Sequence, residues 1–279
     1  MYRTNSEPIN SHPVAVFPTT RKSVFLDRTT IRTKKSVLVS DLRYTIRLAE
    51  NQEEITELLK LRHRVFKVEI GKQSNDLTEI ESDEYDSTSH HLIAVENVSG
   101  RIVGGYRLRT AEINTLDLGF YSAGEFCLND LPDEILDQSV EIGRACIEAE
   151  YRNGKVLFLL WKGLARYVLQ KKKRYLFGCC SLFSNDLSDG FKAYRQLERE
   201  GFMHENLNIS ALKSNFFEQQ NFCSNETNIE LPKLFTTYLR IGAKVCSQPI
   251  LDEDFGTIDF FVIFDSLKMN EKYRKLFFG

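Results

Sequence analysis

The stretch from Ser139 to Trp161 constrains the fold of this chain more than any other. Val140 to Ile147 reads as a strand, with apolar and small residues around one acid, Glu141, and one base, Arg144. Lys155 to Val168 reads as a helix, with Val156, Leu159, Leu160, Leu164 and Val168 as its bulky apolar positions. Tyr151-Arg152-Asn153-Gly154 is the turn between them. A strand that feeds a helix through a glycine-containing turn aims several free backbone N–H groups at one point, and the helix dipole adds positive potential there. The stretch therefore offers a cradle for a polar or anionic ligand, a few residues from an ionisable acid. An ordinary strand–turn–helix with an internal Glu–Arg pair satisfies the same pattern.

On either side the chain alternates between strand and helix patterns. Tyr44 to Leu48 alternates as a strand, and Asn51 opens a helix that runs to near Gly71, with Ile55, Leu58, Leu59, Val65 and Phe66 as its apolar stripe. Arg62 sits on the edge of that stripe. A polar, acidic loop follows over residues 72–88. His91–Glu96 and Arg101–Arg109 form a hairpin around Asn97-Val98-Ser99-Gly100. Beyond the organising stretch come a strand over Tyr175–Ser181 and a helix over Asp186–Gly201. An extended stretch begins at Phe202, Pro232 opens a short helix over Leu231–Ile241, and strands close the chain at Ala243–Cys246 and Asp259–Phe264. Residues 1–42 are rich in Ser, Thr, Pro, Asn, Lys and Arg without periodicity, and carry seven basic residues against three acidic ones. They read as a flexible, mildly basic tail with weak attraction to an anionic membrane surface, ahead of a single domain over 43–279.

Composition narrows the function classes. A formal charge of −2 over 279 residues gives no global argument for nucleic acid. The six cysteines form no C-x-x-C and no histidine cluster accompanies them, so no metal site is expected, and their place in apolar runs points to a reducing, cytoplasmic compartment. No apolar run reaches the length of a membrane span, and no secretory leader is read at the N-terminus. Nucleophile elbow, dinucleotide fingerprint and phosphate loop are all absent.

What remains is charge set among apolar residues. Arg107 lies in Gly104-Gly105-Tyr106-Arg107-Leu108-Arg109, and Glu141 and Arg144 lie in the organising strand. Such charges need partners, and Asp83 and Asp86 are the nearest acidic candidates. Two arginines and two or three carboxylates facing one cleft can hold a zwitterion; a structural salt-bridge network uses the same residues. Positions 141 and 144 fall on opposite faces of a regular strand, so a shared cleft requires a bulge, which is cheapest near Gly143.

Arg62-x-x-x-Phe66, Glu81-x-Asp83-x-x-Asp86, Gly104-x-x-Arg107-Leu108 and Glu141-x-x-Arg144 stand in the order and spacing found in acyl-homoserine-lactone synthases. Further phrases resemble more closely the ornithine-lipid N-acyltransferases and other long-chain N-acyl amino acid synthases. These are Phe120-Tyr121-Ser122 with Glu125-Phe126, Glu141-Ile-Gly-Arg-Ala-Cys146, Tyr151-Arg152, Leu160-Trp161-x-Gly163, Gly178-Cys179-x-Ser181, Tyr238-Leu-Arg-Ile-Gly242-Ala243 and Asp254-Phe-Gly-Thr-x-Asp259. The resemblance covers about residues 44–266 and implies an α/β fold like the Gcn5-related N-acetyltransferases: a twisted mixed, mostly antiparallel sheet with helices on both faces. That sheet is splayed between its fourth and fifth strands, and the organising strand would be the fourth.

The resemblance also implies the reaction. A long-chain, 3-hydroxylated fatty acyl group would pass from the phosphopantetheine thioester of acyl carrier protein to the α-amino group of an amino acid, ornithine by preference, in membrane lipid synthesis. No permanently bound cofactor is implied. Glu141 and Arg144 would be catalytic, with Glu141 as base; Arg62, Phe66, Asp83, Asp86 and Arg107 would bind the acceptor. Ile147, Arg152, Gly154 and Lys155 would hold the acyl–pantetheine end. The turn Arg152-Asn153-Gly154-Lys155-Val156-Leu157 keeps only part of the usual acetyltransferase diphosphate cradle, which favours carrier protein over coenzyme A. Carrier docking would use the basic surface around Arg166, Lys171, Lys172, Lys173 and Arg174, or the nearer Arg152 and Lys155. A lactone-signal synthase using S-adenosylmethionine, and a non-catalytic lipid- or carrier-binding module, are the other readings; residues 67–88 lack the tryptophan common in the signal synthases.

Overall fold

The computed structural model describes residues 37–68, 79–113, 118–212, 228–253 and 255–279. Residues 1–36 of the expected tail, the expected helix end near Gly71, Cys223 and Asp254 lie outside them. The described strands are β1 (Val37–Ser40), β2 (Tyr44–Leu48), β3 (His90–Glu96), β4 (Ile102–Arg109), β5 (Ser139–Ile147), β6 (Tyr175–Leu182), β7 (Lys244–Val245), β8 (Ile250–Asp252) and β9 (Thr257–Asp265). They form one sheet in the order β1-β2-β3-β4-β5-β6-β9-β7, with β8 also paired to β9. All pairings are antiparallel except β5 with β6. The helices are α1 (Gln52–His63), α2 (Asp133–Asp137), α3 (Lys155–Gln170), α4 (Leu187–Arg199), α5 (Lys233–Ile241) and α6 (Glu271–Phe278).

Local chemistry explains the main elements. Asn51 caps α1, its side-chain oxygen accepting the Glu54 N–H at 2.9 Å, with Glu53 and Glu54 in the first turn. The α-helical pattern gives way at Arg64 to a π-helical turn over Arg64–Val68. α3 buries Val156, Leu159, Leu160, Trp161 and Leu164 in the largest apolar cluster, with Tyr106, Leu108, Val140 and Leu176 from one face of the sheet. α1 lies against the opposite face, burying Leu58 and Leu61 with Ile93 and Cys146. Phe177, Phe261 and Ile263, on that same face, join Phe120 and Phe126 in a further cluster.

Four features depart from the sequence expectation. Val37–Ser40, assigned to the tail, pairs with β2 as an edge strand. The splay therefore opens between the fifth and sixth strands in chain order rather than the fourth and fifth. The extended stretch from Phe202 forms no strand, only isolated bridges from Met203 to Val245, Ile209 to Ser247 and Ala211 to Phe126. β8 and the C-terminal α6 were not anticipated, being too short for periodicity to register.

The splay is the feature that positions the site. β5 and β6 pair only at Ser139–Tyr175, Val140–Leu176 and Glu141–Phe177, and then separate. At the fork, a Cβ on Gly178 would stand 2.3 Å from the Ile142 carbonyl oxygen, so only glycine fits there.

Candidate active site

A cavity of about 550 Å³ opens at the fork. Its walls include sequence neighbours Tyr106 and Arg107 from β4, and Cys179 and Cys180 from β6. Neighbours on a strand point to opposite faces. The cavity therefore passes through the sheet where β5 and β6 part. On the α1 face its walls carry Arg107, Glu141, Arg144 and Asp259; on the α3 face they carry Tyr106, Trp161, Leu176 and Phe264. One end is charged and the other apolar.

Glu141 and Arg144 share that cavity because β5 bulges. Gly105 pairs with Cys146 but Arg107 pairs with Gly143, so Arg144 and Ala145 together oppose Tyr106. Arg144 takes a φ of +50°, in the left-handed region, beside the predicted Gly143. Glu141 is 4% exposed and accepts three hydrogen bonds: from the N–H of Tyr121 at 2.9 Å, and from the N–H and hydroxyl of Ser122, both at 2.7 Å. It thereby fixes the turn Tyr121–Gly124 against the sheet.

The remaining charges close into a ring. Arg62 binds Glu81 (Nε to Oε2, 2.5 Å) and Asp86 (Nη1 to Oδ1, 2.6 Å). Asp86 also takes Arg107 at 3.3 Å, Arg107 takes Asp83 at 2.5 Å, Asp83 takes Arg144 at 3.0 Å, and Arg144 returns to Glu81 at 3.2 Å. Three guanidinia alternate with three carboxylates. Burial alone would raise the Asp86 carboxyl, but Arg62 and Arg107 hold it below its ordinary value. Arg62 and Asp86 are buried behind the wall, whereas Arg107, Arg144 and Phe66 belong to it. Arg144 is also stacked between the rings of Tyr121 and Phe255, at 4.6 and 4.7 Å. Of the residues expected to bind acceptor, the structure thus gathers Arg62, Asp83, Asp86 and Arg107 into one network, with Phe66 beside it on the cavity wall.

The turn into α3 has the expected form. Gly154 is its N-cap at φ +87°, a conformation that favours glycine. Asn153 accepts the Lys155 N–H at 3.0 Å, and Arg152 Nε donates to the Ile147 carbonyl at 2.8 Å. Lys155 Nζ lies 2.8 Å from Asp41, both partly exposed. At the far end of α3, Lys173 is engaged by Glu112 and the Asp137 carbonyl, and Arg174 by Asp265. Two of the four cations of the Lys171–Arg174 run, Lys173 and Arg174, are thus paired within the chain.

A second acidic group received no role from the sequence. Glu125, Cys179 and Asp259 bring their side-chain ligand atoms within 4.8 Å of one another. Burial pushes both carboxyls up, and the neighbouring acids push the same way: Asp259 and Asp252 for Glu125, Asp252 for Asp259. Glu125 Oε2 is buried without a hydrogen-bond partner. Cys179 Sγ reaches the Ser122 hydroxyl at 3.5 Å, which links this group to Glu141. Glu125 and Asp259 were visible in sequence only as parts of family phrases, since residues from two distant segments meet here.

Comparison with known proteins agrees with the fold. Residues 61–162 match the acetyltransferase (GNAT) domain family. With the relatives below, that match makes the chain an N-acyltransferase built on a GNAT fold. More particularly, it is similar to the L-ornithine N(alpha)-acyltransferase of Rhodobacter capsulatus, 29% identical over 254 residues that cover 85% of this chain and 95% of that protein. The L-ornithine N(alpha)-acyltransferase of Brucella abortus is also 29% identical, over 82% of this chain and 86% of that one. Among solved structures, the AHL synthase LasI superposes with a TM-score of 0.46 at 14% identity, covering 85% of this chain and 95% of that one. No helix among the described residues is long and apolar enough to cross a membrane.

Proposed function

We propose that this N-acyltransferase moves a long-chain 3-hydroxyacyl group from the phosphopantetheine of acyl carrier protein to the α-amino group of ornithine, giving an N-acyl amino acid of the lyso-ornithine-lipid type. The observation that carries the reading is the cavity through the sheet, with guanidinia and carboxylates at one end and aromatic and aliphatic side chains at the other. An amino acid suits the first end and a fatty chain the second. The names of the relatives supply ornithine as acceptor.

The acceptor ammonium must lose a proton before its nitrogen attacks the thioester carbonyl, and the thiolate must leave. Glu141, at the fork and fixed by three donors, is assigned as proton acceptor. Arg144 and Arg107 grip the acceptor carboxylate with the guanidinium N–H groups that the ring does not use. Asp83, at 22% the most exposed carboxylate of the ring, is assigned to the amino end, while Arg62 and Asp86 hold the others in place. Past Glu141 no β6 pairing occupies the facing edge of β5, so its backbone from Ile142 to Ile147 is placed to meet the pantetheine arm and the developing oxyanion. Gly154 and Lys155 at the head of α3 receive the phosphate, with Arg152 beside them. Carrier docking is assigned to this end, where the phosphate enters, rather than to the Lys171–Arg174 run at the far end of α3. The reaction is assigned to the cytoplasm, with the basic residues that precede β1 attracted to an anionic membrane face.

The test is direct: incubate the protein with 3-hydroxyacyl–acyl carrier protein and each amino acid, reading thiol release and N-acyl product by mass spectrometry. Ornithine is expected to give both. Release only with S-adenosylmethionine overturns the reading in favour of a lactone-signal synthase, and absence of release with every acceptor points to a non-catalytic module. A coenzyme A thioester in parallel separates the two donors.

A further inference from the structure

Two sequence phrases have no part in the mechanism above: Leu160-Trp161-x-Gly163 in α3 and Tyr238-Leu-Arg-Ile-Gly242-Ala243 at the end of α5. They meet in the apolar end of the cavity, where Trp161 and Tyr238 adjoin Tyr106 of β4 in the wall. The Tyr106 and Tyr238 hydroxyls are hydrogen-bonded at 2.8 Å. Tyr106, Trp161 and Tyr238 are 1%, 4% and 9% exposed. The indole of Trp161 packs 5.5 Å from the Tyr238 ring. Its Nε1–H lies close to the Tyr106 hydroxyl but makes no hydrogen bond to it or to another acceptor.

An inventory of donors shows what is left over. Two phenols bring two protons and four lone pairs, and their mutual bond uses one proton and one lone pair. One O–H proton, the indole N–H and several lone pairs remain. Burial pushes both phenols up, so they stay protonated at neutral pH. The neighbouring walls are Leu176, Phe235, Val262 and Phe264, with the Cys180 thiol, only a weak hydrogen-bonding group, among them. A pocket that held only methylenes would gain nothing from buried donors without acceptors, since polar groups left unpaired there oppose folding. Phenylalanine at both tyrosine positions would line such a pocket without that penalty. The missing partner must be a small uncharged oxygen carried on an otherwise apolar chain. It must accept from N–H or O–H, and it gains further if it can also donate to a phenol oxygen.

We propose that Tyr106, Tyr238 and Trp161 form a specificity site for a hydroxyl group on the acyl chain. The proposal rests on the reading of this end as the acyl pocket, and it assigns the choice between hydroxylated and plain chains to these three side chains. A site built to bond a hydroxyl discriminates against the chain that lacks it, because its own groups are then stranded.

The experiment compares kcat/KM for a 3-hydroxyacyl and an unsubstituted acyl donor of equal length on acyl carrier protein, in the wild type, Tyr238→Phe and Tyr106→Phe. The wild type is expected to prefer the hydroxylated donor by about 10- to 100-fold, the factor that one unmade buried hydrogen bond represents. Each variant is expected to lower that preference by about tenfold, through loss on the hydroxylated donor. A wild-type preference below about threefold overturns the proposal. Equal losses on both donors also overturn it and assign the site to a group common to both, such as a pantetheine amide. Turnover of neither donor overturns the functional reading itself, a result distinct from turnover of both without preference.

Discussion

Replacing Arg62 by Met tests whether the charge ring supports the fold. Arg62 is 1% exposed and binds two carboxylates, Glu81 and Asp86, that are 6% and 7% exposed. With three cations and three anions the ring is neutral; Arg62→Met leaves one buried negative charge in excess. Breaking a buried pair by removing one partner costs about 3–5 kcal/mol. At about 2–4 °C per kcal/mol for a domain of this size, the thermal midpoint should fall by about 6–20 °C. The sign with pH follows from Asp86. Its carboxyl is held below its ordinary value of 3.8 in the folded protein, so the stability it contributes is present above that value and is lost as pH falls through the folded pKa. In Arg62→Met that depression is relieved. The difference between the two proteins should therefore be largest at neutral pH and shrink on acidification toward pH ~4. Adding Asp86→Asn should recover part of the loss by removing the stranded charge. Urea unfolding at pH 7 and at mildly acid pH measures all of this. A loss below about 1 kcal/mol at pH 7, typical of an exposed pair, would refute the reasoning.

Other perturbations follow from the same geometry. Glu141→Gln should lower kcat by about 10²-fold or more if the carboxylate takes the amine proton. An amide N–H₂ facing the Tyr121 or Ser122 N–H should also cost about 1–3 kcal/mol of stability, and a stability loss with unchanged kcat would leave Glu141 as an anchor alone. Burial raises Glu125, so between its ordinary value of 4.5 and its folded value of about 8 the native state holds the extra proton and stability declines as pH rises. Glu125→Gln should flatten that decline, and parallel unfolding curves from pH 5 to 8 would contradict it. Gly178→Ala should drive β5 and β6 apart at the fork, costing about 1–3 kcal/mol by overpacking, as a thermal melt would show.

Much of this architecture was legible in the sequence because its signals are local. Asn51 before the α1 stripe, Gly154 before α3 and the Asn97–Gly100 hairpin each mark an element by its own chemistry. The bulge was also legible as a condition, since two charges of opposite parity can share one cleft only through it, and the structure has it. The closure of the ring was not. Arg62 looked like an edge residue of its helix, yet the pairing partners Glu81 and Asp86 arrive from a loop and bury it. The Glu125–Asp259 group and the Tyr106–Tyr238 pair escaped notice for the same reason: each joins segments more than 130 residues apart, and no periodicity spans that distance.

The passage of the cavity through the sheet also bears on how a product leaves. An acyl chain bound across the fork as proposed lies between strands, and withdrawing along its length is the most direct way out. Each methylene held in the apolar end adds about 0.8 kcal/mol, close to a fourfold change in residence. Chain length would then govern two rates in opposite directions. A longer chain captures donor more firmly and delays the vacated enzyme, so turnover should peak at the length that just fills the pocket and fall beyond it as withdrawal becomes the slow step.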